Sequence, residues 1–145
     1  MKNKYYLQDK TVNVMYPRSY YVPFTKKDKK SFNREDSSLF TLLNGTWNFE
    51  AYDSVSDAED FFLSEGKEKM AVPGVVQLFG YDYIQYTNTN YPFPFNPPHI
   101  PSKNPAFHYS RRFECDVTKK NYLVFEGVDS CFYLYINYRF VNMYT

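Results

Sequence analysis

Residues 72–105 read VPGVVQLFGYDYIQYTNTNYPFPFNPPHIPSKNP, and this stretch decides how the remainder can fold. Six of the nine prolines (Pro92, Pro94, Pro97, Pro98, Pro101 and Pro105) fall in its second half. Each holds φ near about −65° and removes a backbone donor, so neither a helix nor an inner strand forms there. A loop of this length is functional or disordered, and disorder requires a chain poor in aromatics. Tyr81, Tyr83, Tyr86, Tyr91, Phe93 and Phe95 argue for order. The stretch therefore reads as a stiff, aromatic-rich recognition surface whose ordering cost is met before any partner arrives.

On either side of the loop the pattern has a period of two. Upstream, Asn44-Gly45 is a turn pair, after which Trp47 and Phe49 alternate with Thr46, Asn48 and Glu50, the signature of a half-buried strand with Trp47 in the core. Downstream, Tyr109, Phe113, Cys115 and Val117 alternate with polar residues from His108 to Asp116, with Arg111 the one exception. Residues 122–125 (YLVF) and 131–136 (CFYLYI) are apolar on both faces, joined by a turn at Gly127-Val128-Asp129-Ser130. Antiparallel strands of that kind need cover on both sides, which points to a sandwich and to further protein beyond it.

Residues 54–65 carry Val55, Ala58, Phe61 and Phe62 at helical spacing, which predicts a short surface helix capped by Ser54 or Ser56. Its adjacent acids, Glu59 and Asp60, point in different directions and make a poor acid/base couple. The first residues, broken by Pro17 and Pro23, read as an extended arm that Tyr20, Tyr21 and Phe24 could anchor, or as a tail. Lys26, Lys27, Lys29 and Lys30 form a solvated basic loop.

The run GYD…YTN..YPFP.NPP..P..NP, the later FEGVDSCFYLY.N and the earlier Leu42-Leu43-Asn44-Gly45-Thr46-Trp47-Asn48-Phe49 together resemble the N-terminal sugar-binding domain of the β-galactosidases of glycoside hydrolase family two. The resemblance implies an all-β, jelly-roll-like (galactose-binding-type) sandwich. The extended arm and basic loop would occupy residues 1–36 and the sandwich residues 37–145. The sandwich is expected to be incomplete at its C-terminal end, because the resembling domains continue with further strands. It also implies that Asn88, in Tyr86-Thr87-Asn88, reaches the galactosyl hydroxyls in the whole enzyme's active site. A carboxamide donates and accepts, as a sugar hydroxyl requires, while an Asx-turn role stays open. Tyr86, Tyr91, Phe93 and Phe95 would contact sugar or, preferably, bury an interdomain surface.

No catalytic residue is expected here. Retaining hydrolysis needs two carboxyl groups about 5–5.5 Å apart, which the resembling enzymes supply from a barrel of about 250 residues, and 145 residues do not hold one. Asp82 and Asp129 match family motifs but read as turn formers. The magnesium and sodium of the family bind through residues outside this sequence, so no cofactor is expected in the chain. Galactoside is a partner only within the full enzyme, alongside the remaining domains of a β-galactosidase. A formal charge of +1 gives no reason for nucleic acid or membrane as partners. Cys115 and Cys131, placed on predicted strands, read as buried thiols in a reducing compartment rather than a disulfide, and a cytoplasmic protein is expected. His99 and His108 make no metal-ligand spacing.

The family's hairpin has glycine where Tyr138 stands. A two-residue type I′ turn needs φ > 0 at both central positions, which Asn137 tolerates and Tyr138 does not, so this hairpin should be strained or rebuilt. Rival readings are a stand-alone carbohydrate-binding module, a fragment that complements a larger one, and a degenerate reading frame.

Overall fold

A computed structural model describes residues 21–28, 31–58, 65–84, 86, 88, 91, 93–99 and 101–144. The chain is all-β, with five strands and two 3₁₀ turns among the described residues. It divides into two units: Leu42–Glu114, and Met1–Thr41 together with Cys115–Thr145.

In the first unit the alternating stretch forms β1 (Gly45–Tyr52), the centre of an antiparallel sheet between β2 (Glu68–Val72) and β3 (Ala106–Ser110). Register pairs Trp47 with Met70 and Phe49 with Glu68 on one side, and Phe49 with Tyr109 and Ala51 with Phe107 on the other. Odd-numbered residues of β1 therefore share a face with Met70, Phe107 and Tyr109. That face is the core. Phe49 is 0% exposed and Met70 is buried. The Phe49 ring meets Tyr81 at 4.7 Å, Tyr109 at 5.0 Å and Phe107 at 6.1 Å. Burial of such a ring contributes about 1.5–3 kcal/mol, and each aromatic pair about 0.5–1.5 kcal/mol more. Trp47 is only half-buried, and its Nε1 donates to the Leu43 carbonyl at 2.8 Å.

The alternation of residues 108–117 predicts a longer strand than forms. β3 stops at Ser110 because Arg111, the misfit in the pattern, turns its guanidinium onto the chain entering β1. Arg111 Nη1 donates to the carbonyls of Leu43 (2.7 Å) and Asn44 (2.8 Å). Beyond it a turn forms at Asp116, whose carboxylate accepts from the Thr118 hydroxyl at 2.5 Å and from the Thr118 amide at 3.0 Å.

Residues 54–58 form a bridge and turns rather than the start of a helix, with Ser54 Oγ accepting from the Asp57 amide at 3.4 Å. The rest of the expected helix, residues 59–64, including Glu59 and Asp60, lies outside the described residues.

In the second unit β4 (Phe132–Ile136) and β5 (Arg139–Tyr144) make a hairpin. Phe132 stacks on Tyr144 at 4.9 Å, and Tyr135 meets Phe140 edge-on at 5.5 Å. Its turn has kept type I′ geometry instead of rebuilding: Asn137 has φ 49° and Tyr138 φ 63°. Residues 122–125 form no strand, although apolar on both faces; all four are exposed, and Phe125 packs on Phe132 at 4.9 Å. Apolar character supplies a surface to cover, but a strand also needs a ladder partner for its backbone groups.

Cys115 and Cys131 are free thiols as read, but exposed, not buried. The two predicted strands that would have buried them stop short, β3 ending at Ser110 and β4 beginning at Phe132. In the N-terminal part of this unit Tyr21 and Phe24 are exposed, and most of the expected arm lies outside the described residues. The buried Ser37 hydroxyl donates to the Pro23 carbonyl at 2.6 Å, and Arg34 makes a two-toothed ion pair with Glu126. Lys26 and Lys27 are exposed in a turn that Asp28 closes by accepting from the Thr25 amide at 2.6 Å; this bond holds the Asp28 carboxyl below its ordinary range.

Candidate functional site

The proline loop leaves β2 through Pro73-Gly74, where only glycine fits: a Cβ at Gly74 would lie 2.3 Å from the Ala71 carbonyl oxygen. A 3₁₀ turn at Val76–Phe79 follows and ends on Gly80 in the left-handed region (φ 83°). The Gly80 and Tyr81 amides donate back to Gln77 and Val76, each at 3.3 Å. This reversal returns Tyr81 to the sheet. Its ring lies on Phe49, and its hydroxyl donates to the Glu68 carboxylate of β2. That bond, ahead of desolvation, raises the Tyr81 hydroxyl's pKa above its ordinary value. Asp82 then accepts from the Tyr83 amide at 2.8 Å and from Gln77 Nε2 at 3.3 Å, the turn-forming role expected for it.

After this anchor many of the described side chains are exposed. Asn88 is exposed, as are Tyr83, Ile84, Tyr86, Tyr91, Phe93 and Phe95. Tyr91 is 77% exposed and meets Phe95 at 6.1 Å. Pro94, Asn96, His99 and Pro101 line a shallow depression nearby. Asn104 makes a single bridge with Ser54, after which β3 begins. The loop is thus held at Tyr81 and again at Asn104, and the described residues Tyr83, Tyr86, Asn88, Tyr91, Phe93 and Phe95 between them are exposed.

A second feature lies on the even-numbered face of the sheet. Thr46, Asn48, Glu65, Lys69, Ser110, Arg111 and Arg112 line an open recess of about 360 Å³. Lys69 bonds Asn48, Arg112 pairs with Glu65, and Ser110 Oγ donates to the Glu65 carbonyl at 2.7 Å. Further along the same face Lys67 pairs with Glu50 at 3.0 Å, and Glu50 stands opposite His108 in the register. Burial lowers the pKa of His108, opposed in part by the charge of Glu50. The polarity of this face was legible in the alternation, but the recess depends on pairing register and was not anticipated. Glu65 is its one lining carboxylate among the described residues. Among the described residues no group of three or more His, Cys, Asp or Glu side chains is placed to hold a metal ion. No described helix is long and apolar enough to cross a membrane.

Residues 40–145 match the family model described as glycosyl hydrolases family 2, sugar binding domain. The chain belongs to glycosyl hydrolases family 2. Among the relatives of this family 2 chain are β-galactosidases. It is 43% identical to the β-galactosidase of Actinobacillus pleuropneumoniae and 40% identical to that of Staphylococcus xylosus, in each case over 94% of this chain and 14% of the relative. With the β-galactosidase of Oenococcus oeni the identity is 36% over 78% of this chain and 12% of the relative. The family 2 chain thus spans about a seventh of the length of these two curated relatives. No solved structure matches it. The exposed loop carrying Asn88 lies wholly within the part matched to the sugar-binding domain.

Proposed function

We propose that residues 1–145 act as the sugar-binding segment of a β-galactosidase that hydrolyses terminal β-D-galactosyl residues. The identity of 40–43% to two β-galactosidases along 94% of the chain carries this reading. In the complete enzyme Asn88 reaches a galactosyl hydroxyl, and Tyr86, Tyr91 and Phe93 are covered by the remaining domains. The outward-facing loop supports both roles, since a ligand contact held on a doubly tied loop costs little further ordering. Chemistry comes from carboxylates outside these residues, because 145 residues do not contain a barrel of about 250. Residues 1–145 alone accordingly leave a nitrophenyl β-galactoside intact; turnover by the purified chain would overturn that part of the reading. In the full-length enzyme Asn88→Ala raises KM for the galactoside, and an unchanged KM would remove Asn88 from the site.

The exposed Tyr91–Phe95 ring pair also favours a second reading, a carbohydrate-binding module that works without other domains. Calorimetry of residues 1–145 against galactose and lactose separates the two. Heat that disappears in Asn88→Ala supports the module, and the absence of any heat rules it out.

A further inference from the structure

Within the loop, one ring departs from the rule that aromatic side chains face solvent. Tyr81 is half-buried while Tyr83, two residues on, is 82% exposed. The Tyr81 ring sits 4.7 Å from Phe49, the most deeply buried side chain of the sheet, and its hydroxyl reaches across to Glu68 on β2. Its backbone amide closes the 3₁₀ turn onto Val76, and Asp82 beside it bonds both Tyr83 and Gln77. Three kinds of contact therefore converge on one residue at the point where the chain changes from sheet-bound to solvent-facing. Further along, Asn104 bridges Ser54, two residues past the end of β1.

We infer that Tyr81 is a positioning residue for Asn88: by locking the root of the loop to Phe49 and Glu68 it sets where the Asn88 carboxamide is presented to the galactosyl group. The inference rests on the β-galactosidase reading above. Physically, a carboxamide contributes to sugar binding only when its donor and acceptor meet a hydroxyl within hydrogen-bonding distance and angle, so a root that swings loses the bond without altering Asn88 itself. An effect transmitted through Asn88 cannot exceed what Asn88 supplies. A neutral hydrogen bond of this kind is worth roughly two- to tenfold in affinity, and that is the ceiling for Tyr81.

The test uses the full-length enzyme carrying this segment, with kcat, KM for a nitrophenyl galactoside and Tm measured for each variant. Asn88→Ala sets the reference and is expected to raise KM by roughly two- to tenfold. Tyr81→Ala is expected to raise KM by a similar factor, and Tyr81→Ala with Asn88→Ala by no more than Asn88→Ala alone. Tyr81→Phe keeps the ring on Phe49 and loses only the bond to Glu68, so it restores most of the wild-type KM. Phe107→Leu, which thins the packing around Phe49 without touching the loop, lowers Tm and leaves KM in place. Should Asn88→Ala raise KM while Tyr81→Ala does not, or should the two changes multiply in the double variant, the positioning role is wrong. Where Tyr81→Ala folds too poorly to assay, Tyr81→Leu serves in its place with the same criteria. An enzyme with no galactosidase activity even with the wild-type segment, or an Asn88→Ala variant with unaltered KM, would count instead against the reading on which the inference rests.

Discussion

Replacing Tyr138 by glycine should make the β4–β5 hairpin more stable, and the size of the gain follows from its turn. Asn137 and Tyr138 stand at φ 49° and 63°, the left-handed region required at both centres of a type I′ turn. For an L-residue with a Cβ this conformation costs about 1–2 kcal/mol, a cost glycine does not bear. Against it, glycine adds about 0.5–1 kcal/mol of backbone entropy to the unfolded chain. Tyr138 is 69% exposed, so little burial is lost with its ring. The balance is a stabilisation of up to about 1.5 kcal/mol. Urea unfolding followed by far-UV circular dichroism measures it as a higher midpoint at unchanged m-value. Tyr138→Ala is the control: it removes the ring and keeps the Cβ, so its midpoint should stay near wild type. A Tyr138→Gly midpoint at or below wild type, or an equal gain from Tyr138→Ala, would refute the strain argument.

Phe49→Ala removes the most buried ring of the three-stranded sheet together with its contacts to Tyr81, Phe107 and Tyr109, and should cost about 3–5 kcal/mol in chemical unfolding. Arg111→Ala leaves the carbonyls of Leu43 and Asn44 without their guanidinium partner and should cost about 1–3 kcal/mol. Arg111→Lys should not recover the loss, because an ammonium lacks the planar donor geometry. Stability should also fall in mild acid through His108. Burial depresses its folded pKa below the unfolded value of 6.5, so the unfolded chain binds the extra proton first. The contribution is complete above about pH 6.5 and is lost as pH drops toward the folded pKa. His108→Gln should flatten the pH dependence of the unfolding midpoint in that window, and an unaltered slope would clear His108.

Much of this was legible in the residues. Alternation around Trp47 and Phe49 predicts β1 because a pleated strand sends neighbouring side chains to opposite faces, a property each short segment carries within itself. The Asn137-Tyr138 turn could likewise be read, since a Cβ clash at positive φ is local steric chemistry. Asn88 was singled out through a motif shared with family 2, and the rings through the aromatic content of the proline loop; Asn88, Tyr86, Tyr91 and Phe93 are exposed in the fold.

Other features depended on what lies across from each segment. Residues 108–117 and 122–125 have the pattern of strands, yet β3 ends at Ser110 and residues 122–125 form no strand, because a ladder requires a backbone partner at the right register and not merely a suitable sequence. Exposure of Cys115 and Cys131 follows from those same endings. Tyr81 and Tyr83 are the same residue type two positions apart, and the sequence determines only that both belong to the loop. Contact with Phe49 and Glu68, chain segments 32 and 13 residues away from Tyr81, turns one of them inward and leaves the other in water. Local conformational preference was thus written in the chain, whereas the choice of which side chain is anchored came from surfaces that only folding brings together.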